Sequence, residues 1–361
     1  MGALYLGRRG SLTPPAAPQS TRAGAPPLLL RLYGSLDDAE EAPSGSGSGG
    51  AAAAAATPSS PAPARLFSRD GEVRCAEAVA ALGLGPPCFV LFANGRLEGY
   101  LDGSPLFAPE MRTPRVADAV AVAMARFHAA ATPALGAPCA LFVRMRAWLA
   151  AACAAADAQP PGAVRDAWRQ RLAGMPAQLE ALEARLAPWA ASGAPGAGTV
   201  FSHNDLQHNN ILRMHSRKAG ADGDADGINV ALIDYEYALS APVAYDIGNH
   251  FCEWAADYAD SPLDGAGMLA YAARYPSKAQ REAFCAAYLA ALPAAGAVAA
   301  ADAAALAAAA DAHALASHLL WGFWGVIQER ASSVDFDFLG YATARFDEAI
   351  THAARLEAEA R

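Results

Sequence analysis

Two short strand-like segments, each leading into a cluster of polar side chains, interrupt an otherwise helical part of this chain. The segments are residues 199–202 and 228–233, and they lead into FSHNDLQHNNIL at 201–212 and ALIDYEY at 231–237. Polar groups on loops that a rigid scaffold positions are typical of a functional site. The pattern therefore predicts an active site where two strands end inside a mainly helical region.

The region around these strands has the apolar spacing of helices. Val116, Val120, Met124 and Phe127 share one helical face. A second set keeps a period of 3.6 residues with acids and arginines opposite, namely Trp168, Leu172, Met175, Leu179, Leu182 and Leu186. The spacing predicts a large, mostly helical lobe downstream of residue 104.

The first hundred residues show a different order of elements. LLLRLYG at 28–34 is short and apolar enough for a buried strand with Arg31 in its middle, and a helix is predicted at about 69–82, before Gly83. CFVLFANGRLEGYLDG then places two apolar stretches around Asn94-Gly95, a strong hairpin signal. Strand, helix and hairpin predict a small, strand-rich lobe ahead of the helical one.

The segment 35–64 interrupts this small lobe with SLDDAEEAPSGSGSGGAAAAAATPSSPAPA. Such a composition buries too little apolar area to offset the entropy of ordering it. We expect a disordered surface insertion there.

Charge and cysteine usage exclude several classes of protein. Acidic residues number 36 against 27 basic ones, and no stripe of Lys or Arg is present, which disfavours nucleic-acid binding. The six cysteines are scattered, so a reducing compartment and no structural zinc are expected. No apolar stretch predicts stable membrane insertion, and we expect a cytoplasmic protein. Residues 1–30 carry arginines without acids, which leaves a transit peptide open as an alternative.

The polar clusters contain the groups that phosphoryl transfer to a hydroxyl requires. That reaction needs a carboxylate to accept the alcohol proton and oxygen ligands for Mg²⁺ on the nucleotide phosphates. Asp205 is placed for the first role, and Asn210 and Asp234 for the second. The alternative, a turn at Asn204-Asp205 and a capping role for Asp234, explains each residue alone but not the joint arrangement.

Four longer motifs resemble those of choline and ethanolamine kinases. They are FSHNDLQHNNIL, LIDYEYA, YDIGNHFCEW and ASHLLWGFWGVIQERASSVDFDFLGYATARFD, and the likeness covers residues 28–34 and most of 66–348. The resemblance implies an α+β, two-lobed protein-kinase-like fold with a small β-rich N-lobe and a larger, mainly helical C-lobe. It also implies ATP as co-substrate and Mg²⁺ as cofactor.

The resemblance divides the chain into four parts. Residues 1–34 form an incomplete start of the N-lobe, 35–64 the insertion, 65–103 the rest of the N-lobe and the hinge, and 104–361 the C-lobe with the catalytic loop and the amino-alcohol pocket. Family members have a phosphate-covering strand-loop-strand before the LLRLYG strand, of which only Met1–Tyr5 could be the tail. The resemblance thus implies a chain that starts late.

The resemblance also assigns residues to the nucleotide and the reaction. Asp205 takes the place of the catalytic base, Asn210 that of the amide metal ligand and Asp234 that of the metal aspartate. His203 is expected to brace the loop. Residues toward the nucleotide are Arg31 in place of a strand lysine and the hinge from Glu98 to Leu101, which would offer backbone groups to adenine. Glu72 is the expected partner of Arg31, and a solvated position on the helix face is the alternative for it.

For the amino alcohol, the resemblance implies a box of aromatic rings. Choline carries a quaternary ammonium without N–H groups, which ring faces and nearby carboxylates can hold. The resemblance places four rings around the nitrogen, with Glu253 supplying negative charge and Tyr237 close by: Tyr258, Trp321, Trp324 and Tyr341. Spacing alone would make the tryptophans core packing.

The function implied is ATP-dependent phosphorylation of ethanolamine, choline or both, the first step toward the corresponding phospholipids. The motifs carry mixed signals, and an enzyme that accepts both substrates is favoured over either strict form. Two alternatives stay open: a phosphotransferase of the aminoglycoside type, and a catalytically impaired kinase-like binding protein. A homodimer also stays open.

Overall fold

The computed structural model describes nine parts of the chain: residues 4–7, 27–32, 66, 69–92, 94–191, 198–215, 227–258, 269–292 and 300–359. The predicted insertion at 35–64 lies outside the described residues, as do residues 1–3 and 8–26 of the predicted N-lobe start. The chain divides into two compact units, the first made of Met1–Ala64 and Pro86–Leu101, the second of Arg65–Gly85 and Asp102–Arg361.

The described residues of the first unit form one sheet. Its strands are β1 (Leu4–Gly7), β2 (Leu28–Leu32), β3 (Cys88–Phe92) and β4 (Gly95–Gly99), in the order β1-β2-β4-β3. β1 runs parallel to β2, whereas β4 is antiparallel to both of its neighbours. The predicted strand at Leu28 and the hairpin at Asn94-Gly95 are confirmed. A Cβ at Gly95 would lie 2.4 Å from the carbonyl oxygen of Arg31, so only glycine fits where the two strands pair.

The second unit is mostly helical. Its helices are α1 (Arg69–Ala81), α2 (Pro114–Leu135), α3 (Leu141–Asp157), α4 (Ala163–Ala173), α5 (Met175–Ala191), α6 (Val243–Trp254), α7 (Tyr271–Arg274), α8 (Lys278–Ala290), α9 (Ala300–Ala331) and α10 (Phe338–Glu359). Two small sheets lie among them. One joins β5 (Gly103–Pro105), β7 (Ile211–Met214) and β8 (Val230–Leu232), and the other joins β6 (Thr199–Ser202) to β9 (Leu239–Pro242).

Helix α1 begins and ends within one residue of its predicted bounds, but it groups with the second unit. Cys75 and Val79 on its apolar face are buried in the same core cluster as Val120 and Met124 of α2. The predicted division placed 65–103 together, and packing instead separates 65–85 from the strands that follow. The wider division into lobes stays a prediction.

The apolar run from Trp168 to Leu186 forms two helices instead of one. All six of its large apolar side chains are buried, as the periodicity predicts. The backbone breaks at Gly174, between α4 and α5. Glycine is unfavourable in helix interiors, and Pro176 has no N–H to donate to the preceding turn, so it fits the first turn of a new helix better than the interior of a continuous one.

Helix α9 lies in the core of the second unit. Its segment Asp302–Ala331 is long and apolar enough to cross a membrane by composition, but 83% of the most apolar window is buried inside the protein, the pattern of a core helix. Gly248 lets α6 approach this helix closely, because a Cβ at that position would lie 2.3 Å from the carbonyl oxygen of Ala310. A small sheet unit and a mainly helical unit confirm the predicted α+β class.

Candidate active site

The loop between β6 and β7 carries Asp205 and Asn210. Asn204 has a φ of 65°, a left-handed conformation that asparagine tolerates better than most residues. The chain therefore turns sharply before Asp205. The Asn210 side chain donates from Nδ2 to the Asp205 carboxylate oxygen Oδ2 and to its carbonyl oxygen, both at 2.8 Å. The predicted base and the predicted amide ligand thus lie in direct contact.

His203 connects this loop to the segment that carries Asp234. Its Nε2 lies 3.0 Å from the carbonyl oxygen of Ile233, and its Nδ1 accepts from the backbone N–H of Asp205 at 3.3 Å. Burial lowers the pKa of His203, which favours the neutral ring that these two bonds require. Asp234 itself has a φ of 66°. The expected bracing role of His203 therefore has a concrete geometry, since it ties the two acidic loops together.

A second layer of polar groups comes from α6, all of whose residues are buried. Asp246 accepts the backbone N–H groups of His203 and Asn204 at 3.0 and 2.7 Å, and its Oδ2 lies 2.9 Å from His128 Nε2. Burial alone would raise the pKa of Asp246. The hydrogen bond to His128 and the charge of that ring together outweigh burial, so the pKa lies below its ordinary value.

Two more side chains of α6 hold the same loop from behind. Asn249 donates to the carbonyl oxygen of Asn204 at 3.1 Å, and His250 Nδ1 lies 2.8 Å from that of Leu206. These residues lie in the motif YDIGNHFCEW, and the sequence pattern alone assigns them no role. The available signal was three polar side chains in an apolar helix, because buried polar groups require partners.

Several carboxylates surround Asp205. Burial raises its pKa well above the ordinary value, and the negative charges of Glu253, Asp234 and Glu236 raise it further, while the Asn210 hydrogen bond acts in the opposite direction. Glu236 was not singled out from the sequence, although it follows Asp234 by two residues. Concentrated negative charge of this kind is typical of sites that bind cations or transfer protons.

The donors near Asp205 fit the chemistry of Mg²⁺. The nitrogen of the Asn210 amide is committed to Asp205, so its oxygen is the atom that remains for a cation. Among the described residues no group of three or more His, Cys, Asp or Glu could hold a metal alone. Mg²⁺ usually binds through one or two carboxylates plus phosphate oxygens, which matches this sparse set of hard oxygen donors.

The predicted aromatic residues pack next to one another. Trp321 lies 5.2 Å from Tyr237 and 5.6 Å from Trp324, and the Trp324 ring lies 5.8 Å from Tyr341, measured between ring centroids. Trp324 Nε1 donates to the Tyr237 hydroxyl at 2.9 Å. Trp321 is buried and donates to Asn249 Oδ1 at 2.8 Å, so it also supports the layer behind the catalytic loop.

Glu253 and Tyr258 lie next to Tyr341 of this cluster, and the charge of Glu253 acts on Asp205. The Tyr258 hydroxyl donates to Glu253 Oε2 at 2.7 Å, and the Tyr258 ring stacks on His208, four residues from Asn204, at 5.7 Å. Glu253 Oε1 accepts from Nη2 of Arg345 at 2.5 Å. Sequence reasoning missed Arg345, although it lies in the quoted motif GYATARFD.

The residues predicted to face the nucleotide are divided between the two units. In the first unit, Glu98 pairs with Arg31 at 3.5 Å and with Arg96 at 2.7 Å. Glu72 is a buried residue of α1 in the second unit, so its predicted pair with Arg31 would join the units and stays a prediction.

The predicted hinge from Glu98 to Leu101 ends the first unit. The backbone N–H groups of Gly99 and Tyr100 donate to the carbonyl oxygens of Pro87 and Pro27, at 2.8 and 3.1 Å. These two donors serve the sheet, and the binding of adenine by the hinge, including Leu101, stays a prediction.

Known proteins are similar to this chain in sequence and in fold. A profile of the choline/ethanolamine kinase family matches residues 60–350. A probable choline kinase 2 of Arabidopsis thaliana is 34% identical over 284 residues, which cover 78% of this chain and 72% of that protein.

Solved structures agree at the level of the fold. A choline kinase from Cryptosporidium parvum superposes with a TM-score of 0.64 at 23% identity, covering 82% of this chain and 80% of the other. An ethanolamine kinase of Plasmodium vivax superposes with a TM-score of 0.62 at 19% identity, over 79% of this chain and 73% of that one.

Proposed function

The chain belongs to the choline/ethanolamine kinase family, and from this premise we propose that the site around Asp205 transfers the terminal phosphoryl group of ATP to the hydroxyl of choline or ethanolamine. The products are ADP, which leaves as the phosphoryl group is transferred, and phosphocholine or phosphoethanolamine, precursors of phospholipids. The family uses ATP. The dependence on Mg²⁺, the roles of single residues, a homodimer and a cytoplasmic location belong to the proposal.

Asp205 is the base in this proposal. It accepts the proton of the substrate hydroxyl as the oxygen attacks the terminal phosphorus, and the Asn210 amide keeps its carboxylate in one orientation. Asn210 and Asp234 would hold Mg²⁺, which would supply positive charge against the negative charge of the nucleotide phosphates. Neutral His203 keeps the Asp205 and Asp234 loops in register.

The amino end of the substrate is assigned to the aromatic cluster. Ring faces attract a desolvated ammonium group, and Trp324, Tyr341 and Tyr258 form a continuous series with Glu253 that leads toward Asp205. The contact between Asp205 and Asn210, tied by His203 to the Asp234 segment, is the observation that carries the proposal. This contact supports the proposal because the base and the two oxygen donors that the proposed reaction needs are residues of these connected segments.

The test is a direct phosphorylation assay on the purified chain. We expect ATP-dependent product with both amino alcohols, loss of turnover when Mg²⁺ is chelated, and loss of most turnover in Asp234→Asn. Asp118→Asn, an exposed aspartate on α2, is the matched control and should keep wild-type activity.

Thermal stability distinguishes an impaired binding protein from an enzyme. Stabilisation by ATP and Mg²⁺ without turnover of either amino alcohol would contradict the proposed reaction and support binding alone. Turnover of an aminoglycoside in preference to both amino alcohols would point to the other class of phosphotransferase.

A further inference from the structure

We propose that Arg345 is a specificity-determining residue, which occupies Glu253 so that the amine pocket selects an ammonium without N–H groups, such as that of choline, over a primary ammonium. The inference rests on the proposed function and assigns a substrate preference to its amine pocket. It concerns a residue that faces Glu253 from α10, the helix that also carries Tyr341.

Arg345 is held in one place by contacts on several sides. The residue has 0% exposure, its Nη2 lies 2.5 Å from Glu253 Oε1, and its Nε donates to the Tyr341 hydroxyl at 2.9 Å. The guanidinium also lies 5.2 Å from the Tyr341 ring centre and 5.9 Å from that of Tyr271. Because an arginine stays charged at any physiological pH, this position is a permanent positive charge.

Both oxygens of the Glu253 carboxylate therefore have partners. Arg345 donates to Oε1, and the Tyr258 hydroxyl donates to Oε2 at 2.7 Å. The negative charge that the sequence assigned to the amine pocket is thus offset at close range. The negative charge of Glu253 still attracts a cation at longer range. An N–H donor of the substrate, however, has to compete with Arg345 and the Tyr258 hydroxyl for the carboxylate oxygens.

Because both oxygens of Glu253 already accept hydrogen bonds, choline and ethanolamine should bind with different affinity. A primary ammonium brings three N–H donors, and each donor that loses water without finding an acceptor costs free energy. A trimethylammonium has no N–H group and loses no hydrogen bond on entering. The partly exposed ring of Trp324, whose centroid lies 5.8 Å from that of Tyr341, suits it directly. The pocket consequently favours the methylated substrate.

A merely structural ion pair would behave differently. Its removal would lower stability and weaken the turnover of both substrates together. The readout is therefore the ratio of kcat/KM for choline to that for ethanolamine, which a general loss of folded protein does not change.

The experiment compares three variants and a control in the ATP-dependent assay. Arg345→Met frees Glu253 Oε1, and we expect the choline to ethanolamine ratio to fall about tenfold, the value of one hydrogen bond to a charged group. Arg345→Lys keeps the charge and should restore most of the wild-type ratio. Tyr258→Phe frees Oε2 without removing a charge, and should lower the ratio about threefold.

The control is Arg355→Met, on the same helix. Arg355 pairs with Asp311 at 2.7 Å, away from Glu253, so its loss should leave the ratio unchanged. If Arg345→Met does not fold, Tyr258→Phe decides the question.

Each outcome bears on the proposal. A wild type that prefers ethanolamine, or an unchanged ratio in both Arg345→Met and Tyr258→Phe, overturns the inference and leaves the proposed function standing. A wild type that phosphorylates neither amino alcohol overturns the proposed function, and the inference with it.

Discussion

Asp205 and Asp311 are two aspartates of the helical unit with opposite electrostatic surroundings. Asp205 has Glu253, Asp234 and Glu236 nearby, and burial and these charges raise its pKa. Asp311 is buried on α9 among cations and donors: Arg281 at 2.8 Å, Arg355 at 2.7 Å, His352 at 3.1 Å and the Tyr275 hydroxyl at 2.8 Å. Burial alone would raise the pKa of Asp311. Its partners outweigh burial, so the pKa lies well below its ordinary value.

The difference separates a site made for ligands from one made for stability. The like charges around Asp205 repel one another and destabilise the protein without a ligand. A bound cation relieves this repulsion, which favours binding. The Asp311 cluster is complete without any ligand and joins α8, α9 and α10. Substituting each aspartate by its amide should therefore produce opposite effects on activity and stability.

The largest effect is expected at Asp205. Asp205→Asn removes the proposed base but also relieves repulsion, so we expect kcat to fall about a thousandfold while stability is unchanged or higher. Steady-state kinetics and denaturant unfolding on the same preparation check both quantities. A variant with near wild-type kcat would remove Asp205 from its proposed role.

The second effect is the reverse case. Asp311→Asn leaves Arg281 and Arg355 without their ion partner, and we expect it to lower the free energy of unfolding by about 3–5 kcal/mol, as for other broken buried pairs. Its kcat per folded molecule should stay near that of the wild type. Denaturant unfolding measures the first quantity; a large kcat loss would show that the cluster also serves the active site.

A third prediction concerns acid. Because the pKa of Asp311 is lower in the folded chain than in the unfolded one, its ionised form stabilises the fold above the unfolded value of about 4, and this contribution is lost as pH falls toward the folded pKa. The free energy of unfolding should therefore decline less steeply below about pH 4 in Asp311→Asn than in the wild type. If the free energy of unfolding declines with the same slope below about pH 4 in both proteins, the role assigned to Asp311 is contradicted.

The smallest effect is expected in the aromatic cluster. Trp324→Leu removes a ring face that is partly exposed, and we expect the KM for choline to rise about fivefold, with a smaller change for ethanolamine, which can use hydrogen bonds instead. Trp321→Leu is the contrast, because its ring is buried and bonded to Asn249. Trp321→Leu should lower the melting temperature. Equal effects of Trp324→Leu on the KM values for choline and ethanolamine would argue against a cation site at Trp324.

Local patterns predicted the elements well and the site in part. The hairpin at Asn94-Gly95, strand β6 and helix α1 depend on turn chemistry and periodicity within a few residues, and they form where the sequence places them. The sequence also predicted that Asp205 and Asn210 would act together, since Asn210 follows Asp205 by five positions in one short loop. Glu72 shows what local patterns do not predict. Its helix α1 was predicted correctly, but the apolar face of α1 packs against α2, and sequence spacing does not indicate that partner.

The sequence by itself determined which groups this protein has for chemistry: a carboxylate and an amide on one tight loop, and a second carboxylate at the end of the next strand. Only the tertiary structure decided what holds and tunes them. Asp246 meets His128 across 118 positions, and Arg345 meets Glu253 across 92. No local preference encodes such pairs, because they form only when separate helices pack and bury their polar side chains together.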